Sequence, residues 1–284
     1  MSRIAYVDGS YRPHRDAAVH IEDRGYQFAD GVYEVFAVRN GQLVDEALHL
    51  ARLRRSLAEL RIEGALEDGP LKVVLHEVAR RNGVANGIVY LQITRGVAPR
   101  DHAFPKAARP VVVATSRRSR PPDPRLGRDG IAVITIPDIR WQRCDIKSIA
   151  LVANVLGKQQ AREAGAYEAW QVDAVGRVSE GTSTNAWIVT GDNTVVTRTA
   201  DSAILNGVTR QALIAIIRQE GYGFTERPFT VAEAKYAREA FLTSTTADVL
   251  PVVTIDGVAV ADGKPGPLST TLRAAYLAHA TERA

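Results

Sequence analysis

The chain has 284 residues, 45% of them apolar and 24% charged, with a formal net charge of +4 and a pI near 9.3. This composition supplies enough apolar material for two modest domains, each with a core. It excludes disorder, and no apolar run approaches the roughly 20 residues of a membrane span. The basic residues are spread out, with only short clusters around Arg52 and Arg117, so the excess charge reads as a solvated surface that favours anionic substrates and not as a nucleic-acid site. Cys144 is the only cysteine and the six histidines are scattered, so neither an internal disulfide nor a bound metal is expected. The first residues read as a short strand and turn and not as a signal peptide, and the expected location is the cytoplasm, away from any membrane.

In chain order, residues 4–7 and 32–38 look extended, and Asn40-Gly41 signals a hairpin because both turn positions require positive φ. Leu50, Leu53, Leu57 and Leu60 fall on one helical face. Leu71, Val74, Leu75 and Val78 define a second helix that Asn82-Gly83 closes. Residues 88–94 and 110–115 return to strand. The stretch 116–129 has three prolines, many arginines and no apolar periodicity, which makes 119–129 an interdomain linker between a small α/β domain (1–118) and a larger one (130–284). In the second half, strands at 131–136, 168–173, 186–190 and 240–243 alternate with helices near 151–164, 208–220 and 231–239. Asp256-Gly257 marks a further hairpin, and a C-terminal helix follows Leu268. The pattern is mixed α/β.

Three segments carry chemistry. Arg143-Cys-Asp-Ile-Lys147-Ser lies between a strand and a helix; on composition alone Lys147 is one surface lysine among others. Glu180-Gly-Thr-Ser183-Thr184-Asn185 precedes the apolar Ala-Trp-Ile-Val and reads as a turn entering a buried strand. Leu205-Asn-Gly207-Val208-Thr209 opens a helix whose free backbone N–H groups and partial positive charge suit an anion. An amine and a carboxylate together are what an aldehyde cofactor with a pyridine ring requires: the amine condenses with the aldehyde, and the carboxylate keeps the ring nitrogen protonated.

These segments resemble the fold-type IV, or class IV, pyridoxal 5'-phosphate aminotransferases, most closely the D-amino-acid (D-alanine) aminotransferases, over nearly the whole chain. The resemblance implies a two-domain fold with the cofactor in the interdomain cleft. It assigns Lys147 as the catalytic lysine and Glu180 as the ring-nitrogen partner. Further cofactor contacts fall to Arg52, Ser183, Thr184, Leu205, Gly207, Val208, Thr209, Ser244 and Thr245. Gly25-Tyr-Gln-Phe-Ala-Asp-Gly-Val-Tyr33 and Pro99-Arg100-Asp-His102 resemble the D-specific members and assign the substrate carboxylate to Tyr33, Arg100 and His102. An arginine fork fixes a carboxylate plane while a phenol and an imidazole fill the remaining lone pairs. The implied reaction transfers amino groups between D-amino acids, of the D-alanine or D-glutamate type, and 2-oxo acids such as 2-oxoglutarate or pyruvate. The implied assembly is a homodimer with shared sites. The chain departs from the family pattern at Ala29, Ala37, Asp101 and Thr182, which leaves the side-chain range open. The alternatives are an L-branched-chain or R-amine transaminase, an aminodeoxychorismate lyase, or a silent cofactor-binding protein.

Overall fold

The computed structural model describes residues 3–120 and 123–282. They form two units. The first takes the described residues up to Arg120, Ile146–Ala150 and those from Ala280; the second takes the described residues between Arg120 and Ile146, and Leu151–His279. The segment around Lys147 thus packs with the first unit, whereas the sequence places it within a domain of residues 130–284.

The first unit contains β1 (Ile4–Val7), β2 (Ser10–Pro13), α1 (Arg24–Phe28), β3 (Gly31–Arg39), β4 (Gln42–Leu43), α2 (Glu46–Glu59), α3 (Asp68–Arg81), β5 (Gly87–Thr94) and β6 (Val111–Arg118). The strands make one antiparallel sheet in the order β2-β1-β6-β5-β3-β4. Period-two alternation buries Val32, Phe36 and Val38 of β3 and Val89, Leu91 and Ile93 of β5 against Leu50, Leu53 and Leu57 of α2 and Leu71, Leu75 and Val78 of α3. The same alternation buries Glu34 completely and leaves Tyr33 half-buried. Asn40 and Gly41 turn with φ of 51° and 82°, as the hairpin requires. At its start β3 takes one more partner: Val32 bridges Ser148, Tyr33 N donates to Lys147 O at 3.0 Å, and Ile149 N donates to Gly31 O at 3.1 Å.

The second unit contains α4 (Pro124–Arg128), β7 (Ile131–Pro137), α5 (Val152–Glu163), β8 (Glu168–Val172), β9 (Val178–Gly181), β10 (Asn185–Val189), β11 (Val195–Thr197), α6 (Val208–Gln219), β12 (Phe224–Glu226), α7 (Val231–Lys235), β13 (Glu239–Ser244), β14 (Asp248–Ile255), β15 (Val258–Ala259) and α8 (Pro267–Glu282). Its mixed sheet runs β12-β11-β10-β13-β14-β7-β8-β9, with β15 paired to β14. Strand β7 is parallel to β8 and β14, and β11 is parallel to β12. All of β10 is buried, and after Asn185 it is a continuous apolar run from Ala186 to Val189.

Five features differ from the sequence pattern. Strand β6 continues to Arg118, and α4 forms within the proline-rich stretch because Asp123 caps it, accepting from Arg125 N, and a proline sits in its first turn. Helix α7 stops at Lys235, since residues 239–244 pair in the sheet. Strand β14 forms despite Pro251, which pairs with Phe241 of β13 and lies before Val252, the first residue of β14 paired to β7. Glu180 lies on strand β9, and only Thr182 to Thr184 turn. Among the described residues, no helix is long and apolar enough to cross a membrane.

Candidate active site

Lys147 has a fixed backbone and a half-buried side chain. Its N–H donates to Ser56 Oγ at 3.2 Å, its carbonyl accepts from Tyr33, and its Nζ lies 4.2 Å from the centre of the Tyr33 ring. An ammonium is drawn to the negative face of a ring, so Tyr33 keeps the amine in place. Tyr33 in turn stacks on Tyr90 with centroids 5.8 Å apart.

Behind β3 stands a buried charge cluster that hydropathy could not reveal. Glu34 accepts from Arg52 Nε and Nη2, both at 2.8 Å, and pairs with His49 Nδ1 at 2.7 Å. Burial alone would raise the Glu34 pKa, but Arg52 and His49 overcome it and hold the carboxyl at about 2. Burial pushes His49 down, with Arg52 and Lys147 adding to the effect against Glu34. Arg52, assigned to phosphate from the sequence, therefore has its fork oriented by Glu34.

In the second unit Glu180 is buried and surrounded by donors. Arg140 Nη1 pairs with Oε1, Asn185 Nδ2 donates to Oε2 at 3.0 Å, and Leu205 N lies 3.1 Å from Oε2. Burial drives the Glu180 carboxyl up, Arg140 and the Leu205 amide pull it back, and it settles at about 7. Such a group exchanges a proton readily with a partner near neutral pH. Asp138 holds Arg140 from the other side, Nη2 to Oδ2 at 2.7 Å. Arg140 and Asp138 carry no motif of their own; only the fold brings them to Glu180.

The turn after Glu180 points its hydroxyls at a second buried carboxylate. Thr182 and Ser183 donate through their Oγ atoms to Glu168, and Thr184 Oγ1 lies 3.4 Å from Glu168 Oε2. Helix α6 starts on Gly207 with no side-chain cap. The first N–H groups of such a helix lack intrahelical acceptors, so those of Val208 and Thr209 could hold an anion. Asn185 links this point to Glu180, because its Nδ2 also donates to Leu205 O at 2.9 Å. Thr209 Oγ1 lies 3.3 Å from the Tyr276 hydroxyl. Ser244 Oγ accepts from Ala247 N at 3.1 Å, and Thr245 is half-buried beside it.

Arg100 and His102 occupy an exposed loop of the first unit, gathered on one ring: the Arg100 guanidinium is 4.5 Å and the His102 ring 5.3 Å from the Phe28 centroid. The described contacts join Lys147 to Tyr33, and Arg100 and His102 each to Phe28, and none joins the two groups.

The first unit supplies an amine for condensation with a carbonyl; the second supplies a carboxylate for a protonated heterocyclic nitrogen and an open helix start for an anion. Residues 31–255 match the model of the class IV amino-transferases. The chain is 41% identical over 268 residues to a D-alanine aminotransferase of Bacillus licheniformis, covering 94% of each, and 39% identical over 272 residues to one of Staphylococcus haemolyticus, covering 95% of each. In three dimensions it is similar to a T.th. branched-chain amino acid aminotransferase solved with pyridoxamine 5'-phosphate, with a TM-score of 0.90 and 26% identity, covering 100% of this chain and 96% of that one. The chain belongs to the class IV aminotransferases.

Proposed function

We propose that this enzyme is a pyridoxal 5'-phosphate-dependent D-amino-acid aminotransferase that passes amino groups from D-amino acids such as D-alanine to 2-oxo acids such as 2-oxoglutarate. The observation that carries it is Lys147, its amine held on Tyr33 in a chain that matches D-alanine aminotransferases along nearly its full length. The residues fit the cofactor: an uncapped helix start for a phosphate, a buried carboxylate near neutral pKa for a pyridine nitrogen, and a ring-held amine for an aldehyde.

When bound, the cofactor supplies an aldehyde that condenses with amines and a ring that accepts the electron pair left when the α-hydrogen departs. Lys147 Nζ moves that hydrogen as a proton, serving as both base and acid. Glu180 holds a proton at the ring nitrogen, and Arg140 keeps Glu180 oriented. Val208 and Thr209, with Arg52, Ser183, Thr184, Ser244 and Thr245, bind the phosphate region beside Leu205 and Gly207. Tyr33, Arg100 and His102 bind the substrate carboxylate, and the side on which they hold it selects the D-enantiomer. We place the enzyme in the cytoplasm as a homodimer with shared sites. The exposed apolar side chains Val152, Val155 and Leu156 on α5 support a second copy as partner.

A comparison of D-alanine and L-leucine as donors to 2-oxoglutarate tests the reading. Pyruvate from D-alanine is expected, with little 2-oxo acid from L-leucine. The reverse preference would instead favour the branched-chain activity for which the T.th. enzyme is named.

A further inference from the structure

We propose that Arg24 is a positioning residue for the substrate carboxylate: it holds the backbone of residues 101–103 so that Arg100 and His102 are presented in one arrangement. The inference rests on the assignment of Arg100 and His102 to carboxylate binding. Arg24 opens α1 and is only 3% exposed, yet its guanidinium is spent on the carbonyls of a surface loop. Nη1 donates to Asp101 O at 2.6 Å and to Ala103 O at 3.3 Å, and Nη2 donates to His102 O at 3.4 Å. A buried charge turned to three successive carbonyls does little for the core. What it defines is the course of the loop.

The anchor is itself anchored. Asp30 accepts from Arg24 Nε at 2.8 Å and from Arg95 Nε at 2.7 Å. Burial works against the Asp30 charge, but the hydrogen bonds from Arg95 and Arg24 hold its carboxyl below the usual range. Arg95 also donates to Leu60 O at 2.7 Å and Arg61 O at 2.9 Å, which ties the cluster to the end of α2. In front, Phe28 takes the guanidinium of Arg24 at 4.9 Å on the ring that also carries Arg100 and His102. Past the loop, Phe104 lies over Arg95 at 3.7 Å and Arg61 at 4.9 Å. An arginine fork recognises a carboxylate in a fixed plane, so a loop free to wander would lose that geometry. Lysine cannot replace Arg24, because a single ammonium lacks the planar fork that spans these carbonyls.

The test uses the holoenzymes Arg24→Lys, Arg100→Lys and the double variant, with D-alanine varied at saturating 2-oxo acid. Arg24→Lys should raise KM for D-alanine on the order of tenfold while lowering kcat by less than about threefold. Cofactor content should be unchanged, since no described contact links Arg24 to Lys147. Because Arg24 acts through the loop, the double variant should lose less than the product of the single effects. An unchanged KM in Arg24→Lys beside a raised KM in Arg100→Lys overturns the inference, and so does a fully multiplicative double variant. An unchanged KM in Arg100→Lys removes the carboxylate assignment itself, and the inference with it. Should Arg24→Lys not fold, Phe104→Leu at a 47% exposed position carries the test: its KM should also rise, and no change overturns the anchor.

Discussion

At the scale of single residues, the chemistry turns on one amine and one carboxylate whose surroundings differ sharply. Lys147 is held by a ring and by two backbone hydrogen bonds, so borohydride reduction of the yellow holoenzyme should fix the cofactor to Lys147 and to no other lysine. Peptide mass spectrometry reads the label, and a label elsewhere, or none, would refute the assignment. Glu180 is buried among donors, and replacing it by glutamine removes the charge while keeping the shape. Glu180→Gln should slow proton transfer on the order of 10² in single-turnover kinetics, because a lost buried charge partner is worth several kcal/mol. An unaltered rate would leave Glu180 a structural role only. Lysines and glutamates are common on surfaces, so the residue types alone do not identify these two; their neighbouring motifs do. Arg140 and Glu168 escaped the sequence because a buried charge has no periodicity, and its partners lie far away in the chain.

At the scale of elements, β3 and α2 are joined by Glu34, Arg52 and His49. The Glu34 carboxyl sits at about 2 against an ordinary 4.5, so above pH 4.5 it is ionised in both folded and unfolded chains and its stabilisation is complete. Between 4.5 and 2 the unfolded chain takes the proton first and that stabilisation, roughly 3 kcal/mol, is lost. His49 is depressed by burial, so its protonation in the unfolded chain works in the same direction once the pH drops below 6.5. Thermal melts from pH 7 to 2.5 should therefore show falling Tm. The fall should be flatter in Glu34→Gln, and parallel curves would contradict the role given to this pair. At the start of α6, a Cβ on Gly207 would clash with Asn185 Oδ1, and Asn185 also holds Glu180. Gly207→Ala should weaken cofactor binding on the order of tenfold by moving both. Gly191→Ala, where no atom lies within 4 Å, should not change it. Equilibrium dialysis of the cofactor separates the two, and equal affinities would count against the α6 site.

At the scale of the whole molecule, the proposal of a shared site makes a prediction that no single chain can satisfy. Lys147→Ala and Arg100→Ala homodimers should each turn over poorly. Mixing them through unfolding and refolding should recover about a quarter of wild-type sites, because each mixed dimer then holds one site with both residues intact. If both residues served the same chain's site, no mixed dimer would be complete. Activity no greater than that of the parents, with exchange shown by differential tags, would therefore end the shared-site proposal.

What the sequence determined by itself was local and periodic. The alternation of β3, the leucine face of α2, the Asn40-Gly41 and Asp256-Gly257 turns and the glycine before α6 each follow from neighbouring residues, and so does the family motif around Lys147 and Glu180. The tertiary structure decided what depends on partners distant in the chain. It paired Ser148 with Val32 and so placed the Lys147 segment in the first unit, carried β14 through Pro251, and turned Arg24 onto the loop of Arg100. It also raised Glu180 to about 7, because the burial that shifts a carboxylate comes from packing, and packing is not written in the residues beside it.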